Sequence, residues 1–362
     1  MSLRAWFFAA MVAGLGAVGS AAPEQVQSAI KVEGPYISGN LAVYLISGPN
    51  LLGDKKYLTL SEGLEHKTVI VRDKRDVNEL TVENQSDQDL FVQAEEIVKG
   101  GQQDRTLGQD MVLSAHSGEI PIPANCVEPG RWTQRGNENA NSFDASPNFL
   151  SSKALKESNY NGDQQAVWAN AHTAQRQLAA NTPGLDVAAT TSPSSLELTL
   201  EDKSVTTATA TYEKDLAASL QPSQNAIGFM FAINGKLNSG DAYASPDLFN
   251  KMYPKLLHAA AIEALSERQP NSQGRLYDVP KAEVVGQMIE AVDAAKGEAL
   301  TLDATEMERE INQQANLKSP VIASTGGNRA VIVKKQSDQM DLFETLDSQT
   351  AVAFLHRAYL TK

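Results

Sequence analysis

The 362-residue chain has one cysteine, Cys126, so an internal disulfide is excluded; an oxidising compartment is tolerated but adds no covalent brace. Its five histidines, His66, His116, His172, His258 and His356, include no pair at the spacing of a helical zinc site. H-E-x-x-H, G-x-S-x-G, a Walker loop and C-x-x-C are all missing from residues 23–362, so a standard hydrolase or NTPase mechanism has no foothold and no metal set is read. The chain also lacks any Lys/Arg run. With a net charge of −13 it has no basic surface to displace the counterions of nucleic acid, and anionic membranes are disfavoured for the same reason. Beyond the first 22 residues no apolar run is long enough to span a bilayer.

What is present begins with a secretory pattern. Arg4 supplies a short positive n-region, "AWFFAAMVAGLGAV" an apolar core, and "GSAA" the small residues of a cleavage site after Ala21 or Ala22. Residues 1–22 are therefore read as a signal peptide, and the protein as exported, to the periplasm or beyond. "GLGAVG", Gly14 to Gly19, fits G-x-G-x-x-G, but that pattern has a mechanism only between a strand and a helix, and here it falls inside the apolar core.

Residues 23–145 read as a β-rich unit. "NLAVYLIS", "KTVIVRD", "ELTVENQS" and "DLFVQAEEIV" carry β-branched residues followed by polar turn residues, and "DMVLSAHSGEIPIPANC" reads as two strands about "AHSGE". Near residue 136 the texture changes: "RGNENANSFDASPN" is polar and reads as loop. "DQQAVWANAHTAQRQLAA" has helical apolar spacing. Residues 203–220 are Thr-rich, yet Val205, Ala208, Tyr212, Leu216 and Leu220 recur at three and four, which predicts helix. "AIGFMFAINGKL" is a strand closed by an Asn-Gly turn. Helices follow in 245–268, with Ser245 before Pro246 as cap, in 280–297 and in 303–317; "NRAVIVKK", "MDLFET" and "AVAFLHRAYL" close the chain as strands. Residues 146–362 are thus the α+β remainder of the same globular domain. The order is not a regular βαβ alternation, so the fold class is α+β, an antiparallel β-rich N-terminal unit packed with a helical middle and a short C-terminal set of strands.

Chemistry-bearing residues are densest over 95–132. If "LFVQAEEIV" is one strand, Val92, Ala94, Glu96 and Val98 share a face, and Glu96 is a carboxylate on an apolar side that needs a cation. Arg105 and Arg131 are the candidate partners. The same residues suit a structural ion pair or a polar ligand pocket. Gly100-Gly101 suits a backbone anion cradle or a plain bulge. Cys126 shares a face with Ile120 and Ile122, which favours packing over a reactive thiol or a metal ligand. Trp132 and Trp168 offer rings for stacking or for packing. Asp241, after the Asn234-Gly235 turn, either lines the same cleft or is a turn carboxylate.

"AEEIVKGGQQDRTLGQD" followed by "IPIPANCVEPGRW" resembles the family associated with ADP-ribosylglycohydrolases and rhodanese-phosphatases, whose members look like E-E-L-x-G-x-K-Q-N-R, then I-P-V-S-C-V-E-x-G-R-W. "QQAVW" and "GFMFAINGKLNSGDAYASPDLFNKMYPKLLHAAAIEAL" match its later segments. Asp104 stands where asparagine is usual, Asn125 where serine is common, and the lysine position is occupied by Gln102 or a neighbour. The resemblance carries over Glu95, Glu96, Gln103, Arg105, Cys126, Glu128, Arg131 and Trp132. It implies a link to NAD and ADP-ribose metabolism. Three expectations follow: a module binding a polar, nucleotide-derived small molecule through Glu95, Gln103, Arg105, Cys126, Arg131, Trp132 and Asp241; an enzyme on an ADP-ribose-like or phosphorylated substrate with Glu96 or Glu128 as acid/base; or a structural and interaction protein. No cofactor is specified.

Overall fold

A computed structural model describes residues 30–187, 191–219, 225–269, 277–300 and 327–362. The segment read as a signal peptide and the helix read over 303–317 lie outside the described residues. The class is α+β, with almost wholly antiparallel strands.

The largest sheet has eight strands, centred on the most apolar runs of the sequence. β2 (Leu41–Ser47) pairs with β1 (Lys31–Ser38) on one side and with β12 (Ala226–Ile233) on the other. Both β2 and β12 are buried on both faces, and their alternate residues feed two cores. Leu41, Val43, Leu45, Phe229 and Phe231 pack with the long helix α6 (Pro246–Ser266). Ala42, Tyr44, Ile46, Met230 and Ala232 pack with α7 (Ala282–Asp293) through Val285, Ile289 and Val292. Period-two alternation thus makes a helix–sheet–helix stack. Asn234 (φ 52°) and Gly235 (φ 84°) turn β12 into β13 (Lys236–Tyr243), the left-handed pair a tight hairpin needs. Ser245 caps α6, its hydroxyl accepting from Leu248 N–H at 3.2 Å, with Pro246 at the first turn. β17 (His356–Thr361), β16 (Met340–Asp347), β15 (Ala330–Gln336) and β14 (Gly297–Leu300) complete the sheet beyond β13.

The second body is a closed barrel formed by β4 (Val69–Asp73), β5 (Glu79–Asn84), β7 (Glu96–Gly100), β8 (Arg105–Leu107), β10 (Gly118–Cys126) and β11 (Ser142–Phe149). Val71, Leu80, Val82, Val98, Leu107, Ile122 and Phe143 fill its core. A third, small sheet has the order β3 (Leu58–Thr59), β6 (Leu90–Val92), β9 (Met111–Leu113), with β3 and β6 parallel.

Three readings of the sequence change here. The run 89–98 is two strands, not one: β6 and β7 belong to different sheets. The N–H of Gln93 goes to Glu96 Oε1 (3.2 Å) and that of Ala94 to Asp110 Oδ1 (2.8 Å), and Glu95 sits at φ 73°. The stretch 135–148 is not all loop, because Ser142 onward is β11 and closes the barrel. β1 and β2 leave the 23–145 unit and build the large sheet, so the chain-order boundary near 145 is not a spatial one. The 203–220 helix is present as α5 (Lys203–Ser219). No helix among the described residues is long and apolar enough to cross a membrane.

Candidate functional site

The residues singled out in the sequence separate into three assemblies. The first is an ionic knot around Asp104 and Glu128, both fully buried. Asp104 accepts from Gly100 N–H (3.1 Å), Arg131 Nη2 (3.3 Å), Arg135 Nη1 and Nη2 (2.9 and 3.0 Å) and Ser195 Oγ (2.9 Å). Glu128 accepts from Asp104 N–H (3.0 Å), Arg131 Nη2 (2.6 Å) and Arg135 Nη1 (3.0 Å). Gln103 Nε2 donates to the Glu128 carbonyl at 3.1 Å. Arg131 also donates to the carbonyls of Gly100 (3.2 Å) and Gly101 (3.3 Å). At the buried centre two carboxylates meet two guanidiniums; Arg135 also reaches the less buried Glu138 at 2.9 Å. Burial and the Glu128 charge push the Asp104 carboxyl up to about 6, against Arg135. Burial works the same way on Glu128, but Arg131 and its other hydrogen-bond donors hold it below the ordinary range. Gly101, at φ 56°, is required: a Cβ there would lie 2.5 Å from the Phe143 ring. The Gly-Gly pair therefore serves the knot through its carbonyls and the Gly100 N–H.

The second assembly is at one end of the barrel. Arg105 opens β8, opposite Cys126 on β10 and Val98 on β7. Its guanidinium is fully buried and donates to the carbonyls of Val77 (3.2 Å) and Asp76 (3.4 Å) in the β4–β5 loop, while Nε has no partner. The Trp132 ring lies 5.9 Å from the guanidinium carbon and is 49% exposed. Cys126 is buried; burial pushes its thiol up, and its sulfur accepts from Glu128 N–H at 3.3 Å. This is the environment of a packed thiol rather than a nucleophile.

The third assembly joins the barrel to the large sheet. Glu95, at φ 73°, meets Lys156 Nζ at 2.9 Å; burial raises its carboxyl to about 7 in spite of Lys156. Glu96 is paired with Lys255 Nζ of α6 at 3.0 Å, not with Arg105 or Arg131. Asp241 accepts from Gln93 Nε2 and faces His356 Nε2, each at 3.1 Å; His356 Nδ1 faces Asp110 Oδ2 at 2.7 Å. Asp241 therefore belongs with His356 and not with the arginines of the motif.

Sequence reasoning missed Arg135, Lys156, Asp110 and His356. For Arg135 a signal existed: two buried carboxylates need a second cation, and Arg135 follows Arg131 by four residues. Lys156 and His356 had none, because their partners are far away in the chain. No group of three His, Cys, Asp or Glu side chains among the described residues is arranged to hold a metal. Neither the curated proteins nor the solved structures contain a match to the chain. Asp104, Glu128 and Arg131 of the knot, the Arg105–Trp132 pair and Glu95–Glu96 all lie in the two-part motif, and the model of the ARG and Rhodanese-Phosphatase-superfamily-associated Protein domain matches residues 29–334; the chain belongs to that family.

Proposed function

We propose that this exported protein is a binding module for a polar, anionic small molecule of the nucleotide-derived kind, ADP-ribose and NAD included, taken up at the barrel end by Arg105 beneath Trp132. One observation carries this reading. Arg131 and Arg135 share Asp104 and Glu128, and Arg329 is paired with Asp89 and Asp347, whereas fully buried Arg105 faces two carbonyls and no carboxylate within 4 Å among the described residues. A buried guanidinium without a counter-charge is costly, and a phosphate or carboxylate on its fork supplies that charge with directional hydrogen bonds. The half-exposed indole beside it is a surface on which a base can stack.

The enzymatic alternative has weaker support. Glu128 is held ionised by two arginines and Glu96 is tied to Lys255, so neither is placed as a free acid.

The test is a melting experiment with ADP-ribose, NAD, AMP and inorganic phosphate. Ligand at a hundred times its Kd adds about 2.7 kcal/mol to the native state. Arg105→Met is expected to melt no lower than the parent without ligand, because an uncompensated charge is removed, and to lose the ligand-induced rise. Trp132→Ala should weaken nucleotide binding by about 1–3 kcal/mol, the scale of base stacking on an aromatic ring, while inorganic phosphate binds as before. Silence of the parent protein across the panel would sink the proposal.

A further inference from the structure

A cleft of about 640 Å³ lies where the N-terminal end of α2 (Lys153–Tyr160), the exposed side of α3 (Gln164–Asn181) and the β12–β13 hairpin meet, far in sequence from the motif. Its size is that of a small-molecule site. Its charge runs against the rest of the molecule: Lys153 and Lys236 line it against Glu267, in a chain of net charge −13, while the ammonium of Lys362, which also lines it, is paired with Asp341 at 3.3 Å. Lys236 makes no ion pair among the described residues, and Lys153 spends one of its three donors on the Thr361 carbonyl at 2.9 Å.

Asn238, which lines the cleft, is only 8% exposed. Its Nδ2 donates to Glu263 Oε1 at 2.9 Å. That oxygen also accepts the Lys153 N–H at 2.9 Å, so it is an acceptor and the amide nitrogen must face it. This orientation leaves Asn238 Oδ1 buried and without a partner. An orphaned acceptor in a cleft wall asks for a donor from a ligand. No aromatic ring lines the cleft among the described residues, so a base has nothing to stack on; the neutral side chains of Gln177 and Thr173 suit hydroxyls instead.

From these residues we infer that the cleft is a second binding site, for a phosphorylated sugar or similar polyol phosphate, with the phosphate on Lys236 and Lys153 and a hydroxyl donating to Asn238 Oδ1. The inference is independent of the barrel-end reading.

Calorimetric titration of the full chain with ribose 5-phosphate, ribose and inorganic phosphate tests it. In the Arg105→Met background, where the barrel-end site is removed, ribose 5-phosphate should saturate one site and bind at least tenfold more tightly than ribose or phosphate alone. Lys236→Gln, a change at an exposed side chain, should cost tenfold or more for ribose 5-phosphate and nothing for ribose. Asn238→Ala should weaken both sugars and leave phosphate unchanged; if that variant does not fold, the Lys236→Gln arm and the ligand series still decide. The inference falls if ribose 5-phosphate does not saturate, if Lys236→Gln leaves its affinity unchanged, if phosphate alone binds as tightly, or if Arg105→Met abolishes the binding.

Discussion

Arg135→Ala is expected to destabilise the protein by about 3–5 kcal/mol, the cost of leaving a buried charge without its partner. Arg135 is 9% exposed and reaches Asp104 twice, Glu128, Glu138 and Ser195. Without it, Asp104 and Glu128 share the single charge of Arg131, and Asp104, already pushed up to about 6, must take a proton or repel its neighbour. Urea unfolding at pH 7 measures the loss. The same experiment on Arg135→Ala combined with Asp104→Asn separates charge from contact. At the buried centre the double variant keeps one carboxylate, Glu128, against one guanidinium, Arg131. It should be less destabilised than the sum of its parts by more than about 0.5 kcal/mol, the threshold for coupling between neighbours. Strict additivity would mean that the knot is packing rather than charge balance.

Stability should fall steadily as pH rises from about 5 to 10. Burial alone would depress the His356 imidazole, but Asp110 and Asp241, one on each ring nitrogen, outweigh it and raise it to about 10. A group whose folded pKa lies above its unfolded value holds its stabilisation below the unfolded pKa and loses it as pH climbs to the folded one. For His356 that window is 6.5 to 10, with a slope of at most about 1.4 kcal/mol per pH unit. The raised carboxyls add to the trend at lower pH. Burial lifts Glu95 and Glu263 to about 7 and Glu197 to about 8, so between 4.5 and those values the native state keeps protons that the unfolded chain has released. Burial also acts to raise Asp110, but its partners, His356 foremost, hold it below the ordinary range, and that stabilisation is lost only in stronger acid. Urea midpoints from pH 5 to 10 should therefore decline, and His356→Gln should flatten the segment above 6.5. A flat or rising profile there contradicts a doubly held imidazolium.

Where the inward side of an element is apolar, the sequence was readable. "NLAVYLIS", "AIGFMFAI" and the α6 segment were placed from composition and period alone, because water exclusion drives each of them. β11 was not readable for the converse reason. Its buried positions include Ser146 and Asn148, whose Oγ and Nδ2 donate to Glu197 Oε1 at 2.6 and 3.1 Å, about fifty residues later. A strand that buries hydroxyl and amide looks like loop until its acceptor is known. The break after β6 left no mark either, since the residue taking the left-handed conformation is Glu95 and not a glycine. The site was legible as a list of residues and not as an arrangement. Glu96 finds its cation 159 residues away on α6, and one motif divides between a buried ionic knot and the Arg105–Trp132 pair at the barrel end.

The closed barrel leaves no strand unpaired, but among the described residues the large sheet ends on β1 at one side, with no strand paired beyond it. That edge would accept a strand from another copy if it were flat and fully equipped with N–H groups. It is neither. Pro35 lacks a donor, the ladder slips between Glu33 and Tyr36, and Lys31 and Glu33 bring charge to the rim. These features guard against edge-to-edge growth, so Ile37, 56% exposed on the same strand, is kept from seeding aggregation. Replacing Pro35 would remove one of those guards, and the first symptom would be loss of solubility at high concentration rather than loss of fold.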